Sequence, residues 1–262
     1  MTIRIALAQV TSTEDPGENL GTIEKYTHRA AADKAHLVVF PEAMMRCFGG
    51  APLHEIAQPI DGPWANDVRA IAESAGITVA TGMFTPAGEG RVRNTLLVVG
   101  AGVDAHYDKI HLFDAFGFAE SDTVSPGQGP LVVEIAGVRV GFAICYDLRF
   151  PGLFQMMADD GAQLHVVPAS WGAGPGKIDH WELLTRARAL DTTAFVAACD
   201  QAPPHDYDGS APRGVGHSLV AGPDGAVLGS LGAERGVLTL DLDPDAVAAV
   251  RRALPVLANR RI

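Results

Sequence analysis

The alternation of strand-like and helix-like segments over the first two-thirds of the chain is the feature that most constrains its fold. Residues 3–9 and 37–42 are predicted as strands, and residues 18–35 between them carry a loose helical stripe of apolar side chains. The alternation continues with a helix at 63–75, which begins at a proline, and a strand at 77–84. This order favours a layered α/β sandwich, although periodicity does not decide between one sheet and two.

The rest of the chain is predicted to continue this alternation and then to end in short hairpins. Asp224–Gly225 is a strong hairpin turn, and no linker or repeat interrupts the chain, so we expect one domain over residues 1–262. The predicted segments, in chain order, are a hairpin at 94–100 and 103–110, a long loop at 111–129, two strands within 131–147, a helix at 150–160, a strand at 164–170, a helix at 177–191, a strand at 193–200, a loop at 201–214, three short strands, a helix at 243–254 and an irregular tail.

Charge and cysteine content exclude several classes of function. The chain has 20 basic and 31 acidic residues, a formal net charge of −11, which argues against nucleic acid or an anionic membrane as the main partner. Three widely spaced cysteines do not suggest a disulfide framework. No signal peptide and no uninterrupted apolar run of about 18 residues is visible, so a cytoplasmic location is expected.

Cys145 lies at the end of a β-prone run in the stretch VGFAICYDLRFP, residues 140–151. A lone cysteine in a strand is usually an inert core residue. Ligands, however, commonly bind at the carboxyl ends of strands in α/β sheets, and a sharp turn after Cys145 would also expose the backbone N–H of Tyr146 as an oxyanion donor. Glu42 and Lys109 follow two other predicted strands. Each alone is typical of a solvated loop charge, but together they suggest strand ends that converge.

Three segments of the chain resemble, in their order, the signature segments of the nitrilase (carbon–nitrogen hydrolase) superfamily. They are FPE at 40–42, YDKIHLFD at 107–114 and CYDLRFP at 145–151. Residues 180–199 and 216–229 are similar to later segments of that family, so the likeness covers essentially the whole chain. The resemblance implies a four-layer αββα sandwich, which is an α/β fold, and assembly as a homodimer or a higher homo-oligomer.

The same resemblance implies a Glu–Lys–Cys catalytic set. It makes Cys145 the nucleophile, Glu42 the general base, and Lys109 the cation that stabilises the oxyanion together with the Tyr146 N–H, while Glu120 orients Lys109 or the substrate amide. A carboxylate whose pKa is raised by burial can take the thiol proton, and a nearby lysine lowers the thiol pKa. Attack on an amide then gives a thioester, which water hydrolyses. This chemistry requires no cofactor and no metal.

Within the superfamily, the chain most resembles the small-amidase branch, and within that branch the bacterial deaminated-glutathione amidases. The segments that carry this resemblance are KIHLFDAF at 109–116, ARALDTT at 187–193 and the tail at 250–261. The nearby interpretation is an ω-amidase acting on α-ketoglutaramate. Both substrates are small anionic amides, so a basic group is expected in the pocket. The candidates for substrate binding are Arg149, Arg213, Phe116 and Trp171, with Phe113, Phe118 and Trp181 as further aromatic candidates and the 111–129 and 201–214 loops as covers.

Three other functions remain open at this stage. The thioester can be intercepted by an amine, which gives an acyltransferase; the chain can be a scaffold without catalytic activity; and a true nitrilase would use the same residues.

Two other sequence motifs do not meet the patterns that they partly match. GAGPGK at 172–177 lacks the flanking residues of a phosphate-binding loop, and GHSLV at 216–220 lacks the closing glycine of a nucleophile elbow.

Overall fold

The fold was analysed in a computed structural model that describes residues 2–261. The strands, in chain order, are β1 (Ile3–Gln9), β2 (Leu37–Val39), β3 (Thr78–Gly88), β4 (Arg91–Gly100), β5 (Val103–Asp108), β6 (Asp114–Ala115), β7 (Phe118–Ala119), β8 (Leu131–Ile135), β9 (Val138–Phe142), β10 (Leu164–Ala169), β11 (Phe195–Asp200), β12 (Leu219–Ala221), β13 (Val227–Ser230) and β14 (Gly236–Leu242). The helices are α1 (Pro16–Ala32), α2 (Pro63–Ala75), α3 (Pro151–Asp159), α4 (Lys177–Thr192), α5 (Pro244–Ala253) and α6 (Val256–Asn259).

Two six-stranded mixed sheets form the centre of the molecule. The first has the strand order β14-β1-β2-β3-β4-β5, and the second has the order β13-β12-β11-β10-β9-β8. In each sheet three neighbouring strands run parallel, β1-β2-β3 in the first and β9-β10-β11 in the second, and antiparallel strands flank them. The sequence left the number of sheets undecided, and the structure gives two.

Alternation along β1 shows how the layers are arranged. Ile3, Ile5 and Leu7 point into a core shared with the second sheet, whereas Ala6 and Ala8 pack with residues of α1 and α2. Because successive strand side chains point to opposite faces, β1 is covered on both sides. Helices α3 and α4 contribute to the core of the second sheet. The layers are therefore helix, sheet, sheet and helix, which confirms the predicted αββα sandwich.

Apart from shifts of a few residues in the bounds of several helices and strands, the predicted elements differ from the structure in three places. The 111–129 segment contains the small hairpin β6–β7 and a 3₁₀ turn at Glu120–Asp122, since Phe113 and Glu120 pair through their backbones. The tail is not wholly irregular, because it forms α6. The sequence of α4 predicts one side lined by Ile178, Trp181, Leu184 and Ala187 or Arg188. Trp181 and Arg188 are buried, but the prediction is wrong at Ile178, which is exposed. No helix within residues 2–261 is both long enough and apolar enough to cross a bilayer.

Candidate active site

The predicted catalytic residues lie at the carboxyl ends of strands from both sheets. Glu42 follows β2, Lys109 follows β5 directly, and Cys145 lies just beyond β9. The strands β2 and β5 run in the same direction but are not neighbours, and β9 belongs to the opposite sheet. The strand ends converge, as the sequence led us to expect, but the strands are not neighbours in one sheet. Two of them belong to the first sheet and the third belongs to the second sheet.

Lys109 lies between two buried carboxylates. Its Nζ atom is 3.1 Å from Oε1 of Glu42 and 2.9 Å from Oε2 of Glu120, and all three side chains are almost fully buried. Asn94 on β4 donates its side-chain N–H to Oε1 of Glu42 at 2.7 Å. A buried ammonium is stable only when it is paired, and here both partners are in place. We refer to Glu42, Lys109 and Glu120 as the buried triad.

The buried triad sets the charge state of Lys109. Burial alone lowers the pKa of this ammonium, but the carboxylates of Glu120 and Glu42 outweigh burial, and the pKa ends well above its ordinary value. Lys109 is therefore a fixed cation at neutral pH. A fixed cation suits the stabilisation of developing negative charge.

Cys145 as a whole is partly accessible, yet its thiol is placed deep enough for burial to raise its pKa well above the ordinary value. The charge of Glu42 acts in the same direction, and the charge of Lys109 opposes both without reversing the shift. Lys109 therefore lowers the thiol pKa, as expected, but burial and Glu42 outweigh its effect. The thiol is protonated at neutral pH, so it needs a base, and Glu42 is the carboxylate beside it.

The turn that carries Cys145 has an unusual backbone. Cys145 adopts a left-handed conformation with a φ angle of 46°, and residues Cys145–Arg149 form a 3₁₀ turn. Non-glycine residues rarely adopt this conformation, which costs about 1 kcal/mol or more. No hydrogen-bond partner for the Tyr146 N–H occurs within residues 2–261. This N–H is consequently free to act as an oxyanion donor.

Asp147 holds this turn in place, and the sequence analysis did not single it out. Its fully buried carboxylate accepts hydrogen bonds from the Ile144 N–H at 2.9 Å, the Tyr107 hydroxyl at 2.8 Å and the His111 N–H at 2.9 Å. The His111 ring lies at 2.7 Å from the same carboxylate. The carboxylate therefore joins the Cys145 turn to the segment that contains Lys109. The sequence signal that could have identified Asp147 is its position, an acidic residue two positions after the cysteine in a segment that is otherwise mostly apolar.

The position of Glu42 depends on hydrogen bonds and on a close backbone approach that its residue type in the sequence does not indicate. Its Oε2 accepts a 2.9 Å hydrogen bond from the Ser170 N–H, and its backbone carbonyl accepts one from the Gln201 side chain at 2.8 Å. A Cβ atom at Gly82 on β3 would lie 2.6 Å from the Ala43 nitrogen. Glycine is thus required at residue 82 for the Glu42 segment to pass so close to the strand.

Asp200 at the end of β11 is a second buried acid near the site. Its carboxylate accepts backbone hydrogen bonds at 2.7 Å from Trp171 and from Val215. Burial raises its pKa well above the ordinary value despite these bonds. Asp200 secures the backbone after β10 and β11, and it was not predicted from the sequence.

Aromatic and basic side chains lie near Cys145. The guanidinium of Arg149 lies over the Trp171 ring at 5.2 Å, and the Phe113 ring meets Tyr146 edge-on at 5.0 Å. Phe116 and Phe118, on the β6–β7 hairpin, are 86% and 53% exposed. Arg149, Trp171 and the hairpin phenylalanines are thus near the predicted site.

Two other predicted residues have different surroundings. Arg213 donates to the Ser12 carbonyl at 3.2 Å and lies over the Tyr207 ring at 5.0 Å, and no contact joins it to the buried triad within the described chain. Trp181 is fully buried and donates to the His217 carbonyl, so it is a core residue. No group of three or more His, Cys, Asp or Glu side chains within residues 2–261 has an arrangement that would hold a metal ion.

Comparison with known proteins agrees with this fold. Residues 4–252 match the family described as carbon-nitrogen hydrolase, and the chain belongs to that family. It is 55% identical to "Hydrolase Rv0480c" of Mycobacterium tuberculosis (strain ATCC 25618 / H37Rv), over 98% of this chain and 95% of that protein.

Two further relatives have names that state an activity. The deaminated glutathione amidase of Escherichia coli O157:H7 is 35% identical over 89% of this chain and 87% of its own length. The omega-amidase NIT2 of Xenopus tropicalis is 34% identical over 98% of this chain and 95% of its own length. Among solved structures, the CN-hydrolase superfamily protein XC1258 of Xanthomonas campestris superposes with a TM-score of 0.88 at 27% identity, and the match covers 100% of this chain and 98% of that one.

Proposed function

We propose that this carbon–nitrogen hydrolase is an amidase that releases ammonia from the amide of a small carboxylate-bearing substrate, through a thioester on Cys145. The observation that carries the proposal is the buried triad beside a protonated thiol. A base, a nucleophile and a fixed cation in one place are the groups that covalent amide hydrolysis needs.

In the first half of the reaction, Glu42 takes the proton of the Cys145 thiol as the sulfur attacks the amide carbon. The carbonyl oxygen becomes an oxyanion, which the Lys109 ammonium and the Tyr146 N–H stabilise. The carbon–nitrogen bond then breaks, and the proton held by Glu42 passes to the nitrogen, so that ammonia leaves. Glu120 holds the Lys109 ammonium from the opposite side throughout.

In the second half, water attacks the thioester carbon and Glu42 takes a proton from that water. The carbon–sulfur bond breaks, the carboxylic acid leaves, and the thiol of Cys145 regains its proton. The net reaction consumes one amide and one water and gives one acid and one ammonia. The chain's own side chains suffice for each proton transfer.

Deaminated glutathione is the first candidate substrate, and α-ketoglutaramate is the second. The similarity of this chain to a protein named deaminated glutathione amidase supports deaminated glutathione. The likeness to an omega-amidase over nearly the whole chain supports the second. Both carry carboxylates, which fits the basic residue Arg149 near Cys145 in a chain of net charge −11.

Ammonia release from a panel of substrates tests the proposal. The panel contains deaminated glutathione, α-ketoglutaramate, a simple aliphatic amide, a nitrile and an N-carbamoyl amino acid. We expect turnover of the first two, no turnover by Cys145→Ala, and an acyl adduct on Cys145 in intact-mass spectra of wild-type enzyme. Cys47→Ala, which alters a different buried cysteine, serves as the matched control and should retain turnover.

Three results would favour other functions. Amide product formed from an added amine would indicate an acyltransferase. Nitrile turnover without amide turnover would indicate a nitrilase. A Cys145 no more reactive than Cys47 or Cys199 toward a thiol-directed electrophile, together with no ammonia from any compound, would favour the scaffold without chemistry.

We also propose that the protein assembles as a homodimer through the outer face of α3 and α4. Met156 on α3 and Leu183 on α4 are 57% and 63% exposed, and because these two helices pack together their outer face presents more than one uncovered apolar side chain. Leu183→Glu should shift the mass measured by light scattering from dimer to monomer. A wild-type protein that is monomeric at micromolar concentration would contradict this proposal.

A further inference from the structure

Lys177, the first residue of α4, contacts the aromatic side chains that lie near Cys145. Its Nζ atom lies 4.5 Å from the centre of the Phe116 ring and 5.7 Å from the centre of the Phe113 ring. Its backbone carbonyl accepts a 2.9 Å hydrogen bond from the Trp171 indole. Cation–π contacts and a fixed backbone restrict where this ammonium can lie.

Lys177 and Arg149 both lack an acidic partner. Neither forms an ion pair with a carboxylate of residues 2–261, although acidic residues outnumber basic ones by 31 to 20 in the chain. Both side chains are half-buried and both rest on aromatic rings. Two partly desolvated cations without counter-charges form a place where an anion gains from binding.

Both cations are connected to the reacting groups by short paths. Trp171, under Arg149, follows Ser170, whose N–H holds Glu42. Phe113, under Lys177, meets the ring of Tyr146, the residue after Cys145. Burial lowers the pKa of Lys177, the charge of Arg149 lowers it further, and the thiolate form of Cys145 would oppose them. The three groups are therefore close enough for their charges to interact.

We propose that Lys177 and Arg149 together bind a carboxylate at the end of the substrate remote from the amide that is hydrolysed. This inference rests on the proposed amidase function and narrows it to amides that carry a distal carboxylate, such as the monoamides of dicarboxylic acids. Lys177 is then a determinant of specificity. An anion between the two cations also removes their mutual repulsion, which favours a charged substrate over a neutral one.

Succinamate and butyramide form a matched pair for the test, because they differ by a carboxylate in place of a methyl group. We expect the wild-type protein to have a higher kcat/KM for succinamate. Lys177→Met should reduce the ratio of the two kcat/KM values by about tenfold, as expected for a lost charge-assisted contact. Lys177→Arg, which keeps the charge, should retain most of the ratio. Lys25→Met, which removes another lysine that lies over an aromatic ring, should leave both values unchanged.

The outcomes separate the two proposals. If the wild-type protein releases ammonia from neither compound nor from any amide of the wider panel, the amidase function itself is wrong. If it hydrolyses amides but Lys177→Met lowers both kcat/KM values equally, or if the wild-type protein does not prefer succinamate, the carboxylate-binding role is wrong and the amidase stands. If Lys177→Arg loses the ratio as fully as Lys177→Met, charge is not what Lys177 contributes, which also overturns the inference.

Discussion

The hydroxyl of Tyr107 donates a 2.8 Å hydrogen bond to the buried carboxylate of Asp147, and this bond joins the strand that leads to Lys109 to the turn that carries Cys145. Tyr107 lies on β5 of the first sheet, and Asp147 lies in the 3₁₀ turn that follows β9 of the second sheet. The bond therefore fixes the distance between the cation and the nucleophile across the sandwich. Burial and the Asp147 charge together raise the pKa of Tyr107, so the hydroxyl stays a donor.

Tyr107→Phe tests this positioning role. The variant removes one of the two donors to Oδ2 of this buried carboxylate and leaves the Ile144 N–H as the other, so we expect the free energy of unfolding to fall by about 1–3 kcal/mol. The kcat should fall by about tenfold with little change in KM, since the reacting groups shift relative to each other while the substrate contacts remain. Urea unfolding and steady-state kinetics measure both. If the variant loses the expected stability but keeps the wild-type kcat, Tyr107 has a structural role only.

Cys145→Gly and Cys145→Ala separate the chemistry of residue 145 from its backbone. Both variants should be inactive. Because residue 145 has a φ angle of 46°, we expect the glycine variant to be more stable than the alanine variant by about 1 kcal/mol in urea unfolding. Ala136→Gly, at a φ angle of 49° in the β8–β9 turn, is the matched control and should gain similar stability with full activity. A less stable Cys145→Gly would refute the strain argument.

Gly82→Ala is predicted to damage the site without touching any reacting group. The added methyl would lie 2.6 Å from the Ala43 nitrogen, so the Glu42 segment must move and kcat should fall at least about tenfold. Gly21→Ala on α1, where a Cβ meets nothing within 4 Å, should instead stabilise the protein by about 0.5–1 kcal/mol with normal kcat. Normal activity in Gly82→Ala would show that the approach of these segments is not critical.

Glu120→Gln is predicted to reduce kcat by at least about tenfold. Both Glu120 oxygens accept from the Lys109 ammonium, and Oε2 also accepts from the Phe113 N–H at 2.7 Å, whereas a glutamine amide must present a donor at one of these positions. Steady-state ammonia release measures the effect, with the exposed Glu134→Gln as control. Wild-type kcat in Glu120→Gln would remove Glu120 from the proposed catalytic set.

His165 on β10 should make the protein less stable in acid. Burial, assisted by the charge of Arg251, lowers its pKa to about 3, and both ring nitrogens lack partners within the described residues. An unfolded histidine with a pKa near 6.5 binds a proton that the folded one rejects. Stability from this group is thus complete above about pH 6.5 and falls as pH drops toward 3, by about 2 kcal/mol at pH 5.

The variant His165→Leu checks this prediction. The loss of unfolding free energy between pH 7 and pH 5 should be about 2 kcal/mol smaller than in the wild-type protein. His106→Gln, at an exposed position on β5, should show the wild-type dependence. An identical pH dependence in His165→Leu and the wild-type protein would contradict the argument.

Much of the fold follows from local sequence patterns. The helix 63–75 is found with the predicted bounds, because Pro63 opens it and Gly76 adopts the left-handed conformation that closes it. The β6–β7 hairpin was missed because its two-residue strands have no measurable period and depend on the backbone pairing of Phe113 with Glu120. Likewise, Ile178 fits a helical stripe in sequence but faces outward in the fold.

The candidate site divides in a similar way. Glu42, Lys109 and Cys145 were noted in the sequence because they follow predicted strands, and the resemblance to the nitrilase superfamily implied their roles and added Glu120. Asp147, Gly82 and Lys177 were not, because their importance lies in what they approach in space. Nothing in a linear sequence says that a Cβ at Gly82 would collide with Ala43, or that Lys177 reaches an aromatic ring on a hairpin.

The sign of the buried triad has a consequence for turnover in an amidase. Two carboxylates and one ammonium give that enclosure a formal charge of minus one. The reacting group would arrive there as a neutral amide and depart as an ion of the same sign as its surroundings. Electrostatic repulsion from the buried triad would then favour release of the newly made acid, so inhibition by accumulated product should be weak.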